Sequence, residues 1–191
     1  MRITGGIHRG RVIKVPDGLE VRPTQDRVRE ALFNIIQNEI KGARFLDVFA
    51  GSGAVGLEAM SRGASSVTFV ERNPRHIAFV RSNSALLKLA PEIVPADAYQ
   101  YLASFAGAPF DIVYADPPYA MLSDGQSLEK LFALFCEIAN NDTICVLEAP
   151  GEFDSSHIKL PLGFTIEELK RLGKKSVGKP SQIIFKLKKY E

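Results

Sequence analysis

Phe45-Leu46-Asp47-Val48-Phe49-Ala50-Gly51-Ser52-Gly53-Ala54-Val55-Gly56 is an apolar run that breaks into G-x-G-x-x-G and then continues with helical spacing. Glycines let the chain turn tightly and bring its backbone close to a ligand, and the helix after them points its free N–H groups at that ligand. Twenty positions after Gly51, Glu71 closes the next apolar run, where a carboxylate can accept from both hydroxyls of a ribose. This order of strand, glycine turn, helix, strand and acid predicts an α/β fold with a nucleoside-bearing cofactor.

Outward from this stretch the order repeats. Apolar runs predict strands over 44–49, 66–71, 92–95, 110–115 and 143–148, and the first, fourth and fifth are apolar enough to be buried on both faces. Helical spacing over 55–62, 75–89, 98–105 and 128–139 supplies the crossovers that parallel strands need. The sheet is therefore expected to be doubly wound and mostly parallel. Runs over 164–172 and 182–187, separated by a turn region at 173–180, predict a C-terminal antiparallel hairpin. Near the N-terminus, 2–4 and 12–15 flank the glycine-rich Gly5-Gly6-Ile7-His8-Arg9-Gly10-Arg11, a small β-ribbon, and 26–37 reads as an amphipathic helix. Residues 1–40 are expected to be an extension packed on a main domain of residues 41–191.

The chain has 191 residues, 46% hydrophobic and 24% charged, which excludes collagen, coiled coil and wholesale disorder. No apolar stretch reaches the roughly 18 residues of a membrane span and the opening residues lack a signal-peptide core, so a cytoplasmic protein is expected. Cys136 and Cys145 have no metal-ligand spacing and read as buried reduced thiols; no metal is expected. Charge is unevenly distributed. Residues 1–30 carry seven basic and four acidic side chains, 31–168 carry nine and 17, and 169–191 carry eight and one. Basic ends on an acidic centre suit a polyanion, or merely keep the chain soluble.

Asp47 decides between cofactors. An ionisable group inside an apolar strand is costly to bury, and beside a pyrophosphate it would repel the ligand. S-adenosylmethionine carries an ammonium and a sulfonium and no phosphate, so an acid near the loop becomes attractive. The alternative for Asp47 is a structural acceptor of backbone N–H groups. Asp97, after the third predicted strand, can accept from an adenine amino group or cap the helix that begins at Ala98.

The fourth predicted strand runs into Asp116-Pro117-Pro118-Tyr119. Two prolines fix the backbone and leave a carbonyl with no neighbouring N–H, so a carboxylate, a carbonyl and an aromatic ring form one rigid cluster. A planar exocyclic amine needs two acceptors for its hydrogens and a ring to stack its base. Accepting both hydrogens favours a pyramidal nitrogen, which helps attack on a sulfonium methyl. His8, His76 and His157 show no partner, and the reaction needs no base because the amine can lose its proton after transfer.

Asp116-Pro117-Pro118-Tyr119 resembles the (D/N/S)PP(Y/F) motif of amino-group methyltransferases. Gly5-Gly6-x-x-Arg9-Gly10-Arg11, the run from Arg22-Pro23-Thr24 to Phe33-Asn34, and Gly51-Ser52-Gly53 through Ala59 are similar to the RsmD family. The resemblance runs continuously from Arg2 to Tyr119 and beyond Glu148 is in outline only. It implies a Rossmann-like class I methyltransferase core, S-adenosylmethionine as donor, and the 2-amino group of one guanine in bacterial 16S ribosomal RNA within assembled or assembling small subunits. It further implies that Arg22, Thr24, Asp47, Phe49, Gly51, Gly53, Glu71 and Asp97 hold the cofactor. Asp116, Pro117, Pro118 and Tyr119 would be catalytic, Arg2, Arg9 and Arg11 would meet RNA, and the protein would act as a monomer. Rival readings are an adenine-amino DNA methyltransferase, a nicotinamide oxidoreductase, which leaves Asp116 to Tyr119 unexplained, and a non-catalytic RNA-binding assembly factor.

Overall fold

The computed structural model describes residues 1–16, 23–173 and 180–190. The chain divides into two compact units, Met1–Ala98 and Tyr99–Glu191, and its strands belong to one seven-stranded, mostly parallel sheet.

In the first unit, α1 (Pro23–Ile35) is followed by β1 (Arg44–Val48), α2 (Ala54–Ser61), β2 (Ser66–Val70), α3 (Pro74–Leu87) and β3 (Glu92–Val94). The strands lie parallel in the order β3-β2-β1, with Asp47 beside Phe69 and Val48 beside Val70. The last four residues of both β1 and β2 are buried, Asp47 and Thr68 among otherwise apolar neighbours. Leu32, Phe33 and Ile36 bury one stripe of the α1 segment, and the Phe33 ring lies 6.4 Å from that of Phe45 on β1. Asn73 starts α3 by accepting from Arg75 N–H at 2.9 Å, Pro74 fills the first turn, and Lys88 ends the helix in the left-handed region.

Helix α2 can approach β2 only because position 56 has no side chain. A Cβ on Gly56 would lie 2.3 Å from Phe69 Cε1 and 2.8 Å from Val67 Cγ1, both on fully buried residues. In an exposed helix, alanine in place of glycine would gain about 0.5–1 kcal/mol. Here overpacking dominates, at about 1–3 kcal/mol or more. Gly56→Ala is therefore expected to lower the urea midpoint with little change in m-value. A midpoint equal to or above wild type would show that the contact relaxes freely.

The expected N-terminal ribbon is short: Arg2 bridges Val12, Ile3 N–H donates to the Arg11 carbonyl at 2.9 Å, Gly10 N–H to Ile3 at 2.8 Å and Ile13 N–H to Met1 at 2.9 Å, and Gly6–His8 forms a 3-10 turn between the arms. Side chains of the helices extend this pairing. Thr4 N–H donates to Glu58, His8 N–H to Ser61 Oγ, Ser61 Oγ to the Gly5 carbonyl, and Lys14 N–H to Asn83 Oδ1. Side chains of α2 and α3 thus hold the backbone groups that the short ribbon leaves unpaired. Gly6 has φ +76° and sits so close that a Cβ would be 1.8 Å from the Ser61 carbonyl oxygen.

The second unit holds most of α4 (Ala98–Ser104), then β4 (Ile112–Ala115), α5 (Tyr119–Ser123), α6 (Gly125–Ile138), β5 (Ile144–Pro150), β6 (Phe164–Leu172) and β7 (Pro180–Lys189). β4 and β5 are parallel, while β7 runs antiparallel to both β5 and β6, the expected hairpin. Its turn, 174–179, lies outside the described residues. β6 has a charged, largely exposed face and a bulge between Glu168 and Lys170, features that discourage edge-to-edge pairing. Helix α6 begins three residues before its expected start because Asp124 caps it, accepting from Gln126 N–H and Ser127 Oγ. It buries Leu128, Leu131, Phe132 and Phe135, with Phe132 stacked 5.3 Å from Phe185 on β7. Both cysteines are buried free thiols, and burial pushes Cys136 up to about 11. Among the described residues no helix is long and apolar enough to cross a membrane.

Candidate functional site

The glycine loop leaves β1 with three residues in the left-handed region: Phe49 (φ 66°), Gly51 (φ 55°) and Gly53 (φ 77°). Glycine tolerates this conformation, whereas a half-buried phenylalanine holds it at a cost of order 1–3 kcal/mol. Strain of this kind persists only where the surroundings over-determine it. Here Phe49 and Ala50 N–H both donate to the Val70 carbonyl, at 3.0 and 3.2 Å, and Gly53 N–H donates to Ala50 at 2.8 Å.

Two carboxylates brace the loop. Asp47 is buried and accepts from Gly56 N–H at 2.9 Å, tying the end of β1 to the first turn of α2. Glu71, just past β2, accepts from Gly51 N–H at 2.9 Å through one oxygen and from Asn73 N–H at 2.8 Å through the other. His76 Nδ1 lies 3.5 Å from Glu71, a partner that the sequence did not disclose. Asp97, before α4, lies 3.5 Å from the exposed Arg72 guanidinium. Asp47, Phe49, Gly51, Gly53, Glu71 and Asp97 all belong to the first unit. Thr24 falls in the first turn of α1, and Arg22 lies outside the described residues.

Two further buried residues carry no signal in the sequence, Asn83 at this loop and Glu58 at the N-terminal segment. Asn83, fully buried on α3, donates to the Ser52 carbonyl at 3.1 Å and to the Lys14 carbonyl at 2.8 Å. Glu58, fully buried on α2, accepts from Thr4 N–H (2.8 Å), Thr4 Oγ1 (2.6 Å), Arg29 Nε (3.2 Å) and Arg62 Nε (2.8 Å). Arg29 also donates to Asp26 and to the Arg2 carbonyl. An isolated Glu or Asn on a helix is usually a solvated residue, so only its burial marks it.

In the second unit, β4 ends at Ala115 and Asp116-Pro117-Pro118-Tyr119 turns into α5, a short helix absent from the sequence expectation. Pro118 starts it and its carbonyl accepts from Met121 N–H at 2.8 Å. No described group donates to the Pro117 carbonyl or to Asp116, and the Tyr119 ring is exposed. Asp116 is open to solvent on one side and crowded by protein on the others. That crowding, with the charge of Glu148 on β5 as a second cause, raises its pKa to about 8. Glu148 was not singled out in the sequence. One of its oxygens accepts from Tyr114 OH at 2.9 Å and Gln182 Nε2 at 3.2 Å.

Arg2, Arg9 and Arg11 are exposed on the N-terminal segment, where Arg11 makes one long contact to the Leu86 carbonyl at 3.4 Å.

A parallel sheet with a left-handed glycine loop after β1, an acid after β2 and an Asp-Pro-Pro-Tyr turn after β4 defines the class I methyltransferase fold. The chain superposes on the solved structure of yhhF from Escherichia coli with a TM-score of 0.78 at 30% identity, covering 100% of this chain and 99% of that one. It belongs to the RsmD family, whose profile, described as Conserved hypothetical protein 95, matches residues 1–179. Ribosomal RNA small subunit methyltransferase D of Escherichia coli K12 is 46% identical over 120 residues, 62% of this chain and 60% of that protein. The match thus spans about 60% of the length of that relative. The YlbH protein of Bacillus subtilis is 34% identical over 191 residues, 97% of this chain and 98% of its own.

Proposed function

We propose that this protein transfers a methyl group from S-adenosylmethionine to the exocyclic 2-amino group of a guanine in 16S ribosomal RNA of the small subunit, in the cytoplasm. The observation that carries this reading is the set of uncommitted acceptors at the end of β4: the Asp116 carboxylate and the Pro117 carbonyl, beside an exposed aromatic ring. The relatives named as small-subunit ribosomal RNA methyltransferases supply the substrate class.

The first unit fits the proposed cofactor. Its loop is braced by carboxylates, from Asp47 and Glu71, which suits a cationic methionine and not a pyrophosphate. The space in front of Gly51 is open, a Cβ there meeting nothing nearer than the Phe49 carbonyl at 4.0 Å. In this reading Asp47, Phe49, Gly51, Gly53 and Glu71 hold the cofactor, Asp97 its adenine, and Arg22 and Thr24 its methionine end. When bound, S-adenosylmethionine supplies a sulfonium-activated methyl group. Asp116 and Pro117 accept the two amine hydrogens and Tyr119 stacks the base, so the nitrogen lone pair is freed from the ring as the new N–C bond forms and the methyl–sulfur bond breaks. The proton leaves the nitrogen afterwards. Residues 1–40 form an extension through which Arg2, Arg9 and Arg11 meet phosphates.

The direct test incubates the protein and labelled S-adenosylmethionine with small subunits from a strain lacking the gene, with nucleoside analysis of the product. Label in 2-methylguanosine is expected, and label on another nucleoside or none overturns the reading.

Asp116 also gives the reaction a pH dependence. The protonated carboxyl donates, and only the ionised form accepts an amine hydrogen from both of its lone-pair faces. With a pKa of about 8 in the free protein, the accepting fraction grows as pH rises through that value. kcat/KM at low concentrations of both substrates is expected to climb to a plateau above pH 8, since it reports groups of the free enzyme. Asp116→Asn, which keeps one acceptor and cannot titrate, is expected to flatten the profile. A slope retained in Asp116→Asn would assign the titration to another group.

A further inference from the structure

We infer that Glu148 is a specificity-determining residue that accepts from N1–H of the target guanine while Asp116 and Pro117 accept from its 2-amino group. This inference rests on the proposed guanine-amino reaction and names what selects the base. Glu148 is held from both sides. Tyr114 OH and Gln182 Nε2 both donate to Oε2, at 2.9 and 3.2 Å, from β4 and β7 flanking β5. Two donors on one oxygen fix the carboxylate and leave Oε1 without a partner among the described residues. Oε1 is not one of the buried polar atoms that lack a partner, so solvent reaches it. No described Lys or Arg pairs with Glu148 or Asp116.

Gln182 orients the carboxylate. It is 3% exposed, and its own orientation is set by Nε2 donating to Glu148. Its Oε1 is the one buried side-chain polar atom without a partner among the described residues. Burying an unpaired acceptor is costly, and here its amide is committed to steering Glu148. The carboxyl ends of β4 and β5 therefore offer acceptors without a compensating donor: Asp116, the Pro117 carbonyl and Glu148 Oε1. Glu148 is close enough for its charge to contribute to raising the Asp116 carboxyl, after burial.

With Asp116 ionised the cluster holds acceptors only, and it chooses among bases by elementary chemistry. Guanine presents N1–H beside its 2-amino group, two adjacent donor positions. Adenine and cytosine place a ring-nitrogen acceptor beside their amino group, and a carboxylate there meets a lone pair. Uracil has one donor flanked by carbonyls. Glu148 would thus reject the amino-bearing competitors through repulsion as well as the loss of a hydrogen bond.

The test compares guanosine with 2-aminopurine, which keeps the 2-amino group and replaces N1–H by an acceptor. Small-subunit particles are reconstituted with one or the other at the position that the wild-type protein labels. Wild type is expected to prefer guanosine by about ten- to a hundredfold in kcat/KM. Glu148→Gln can turn an amide N–H toward the ring nitrogen, so its preference is expected to fall to near one or invert, with S-adenosylmethionine affinity unchanged by calorimetry. A wild-type ratio retained in Glu148→Gln overturns the inference alone. Absence of label on guanine in the wild-type reaction overturns the parent reading and this one with it. Should Glu148→Gln fail to fold, Tyr114→Phe removes one donor to Oε2 while keeping the ring. A preference reduced severalfold in that variant supports the inference, and an unaltered one overturns it.

Discussion

Asp116→Ala is expected to slow methyl transfer by on the order of 10²–10³ while leaving S-adenosylmethionine affinity within about twofold. The size depends on when the interaction matters. In the ground state the amine is nearly planar and shares its lone pair with the base. As it pyramidalises, positive charge grows on nitrogen and the hydrogens bond more strongly to an ionised acceptor. An interaction that strengthens on the way to the transition state lowers the barrier, and its removal appears in the chemical step. Single-turnover kinetics on small-subunit particles measures that step directly. The loss is expected to be partly recovered in Asp116→Asn, whose amide oxygen keeps one acceptor. A single-turnover rate in Asp116→Ala equal to wild type would show that the turn after β4 is structural only.

Glu58→Ala is expected to cost about 3–5 kcal/mol of stability, a large part of the roughly 5–15 kcal/mol typical of a domain. Glu58 is fully buried, Arg29 is 4% exposed and Arg62 is 14% exposed, so the variant leaves two guanidinium groups with little water to replace the lost carboxylate. It also releases Thr4, whose N–H and hydroxyl both donate to Glu58. Unfolding in urea should therefore show a much lower midpoint, and amide exchange should show faster exchange at Ile3 and Thr4. Thr4→Val, which removes the hydroxyl's donation to Glu58 and its acceptance from Arg62 and keeps the N–H bond, is the control, at about 1–2 kcal/mol. A midpoint in Glu58→Ala within the range of that control would mean that solvent enters the cluster and compensates.

Much of the candidate site was legible in the sequence because its residues lie next to each other in the chain. The glycine loop and the Asp-Pro-Pro-Tyr turn are local: proline and glycine dictate backbone geometry from one residue to the next, and a strand delivers the residues at its end to the sheet's carboxyl edge. Glu71 could be found because its distance from Gly51 is set by one helix and one strand. Strand existence was readable from apolar runs, and the hairpin of β6 and β7 from turn residues between them. Element ends were less legible. Helix α6 starts where Asp124 caps it, and α5 is a single turn too short to display a period.

The sequence by itself thus determined the α/β class, the loop, the acceptor turn and the basic N-terminal segment, all set by spacing within one or two elements. Only the tertiary structure decided the fate of groups whose partners are distant in the chain. Thr4 reaches Glu58 across 54 positions, Lys14 reaches Asn83 across 69, and Tyr114 reaches Glu148 across 34. For the same reason side chains of α2 and α3 came to hold the N-terminal segment, and Glu148, which carries no signal in the sequence, became a fixed carboxylate on β5. A carboxylate in water is indifferent to its neighbours in sequence. Once burial removes the water, the remaining hydrogen-bond donors determine its position and role.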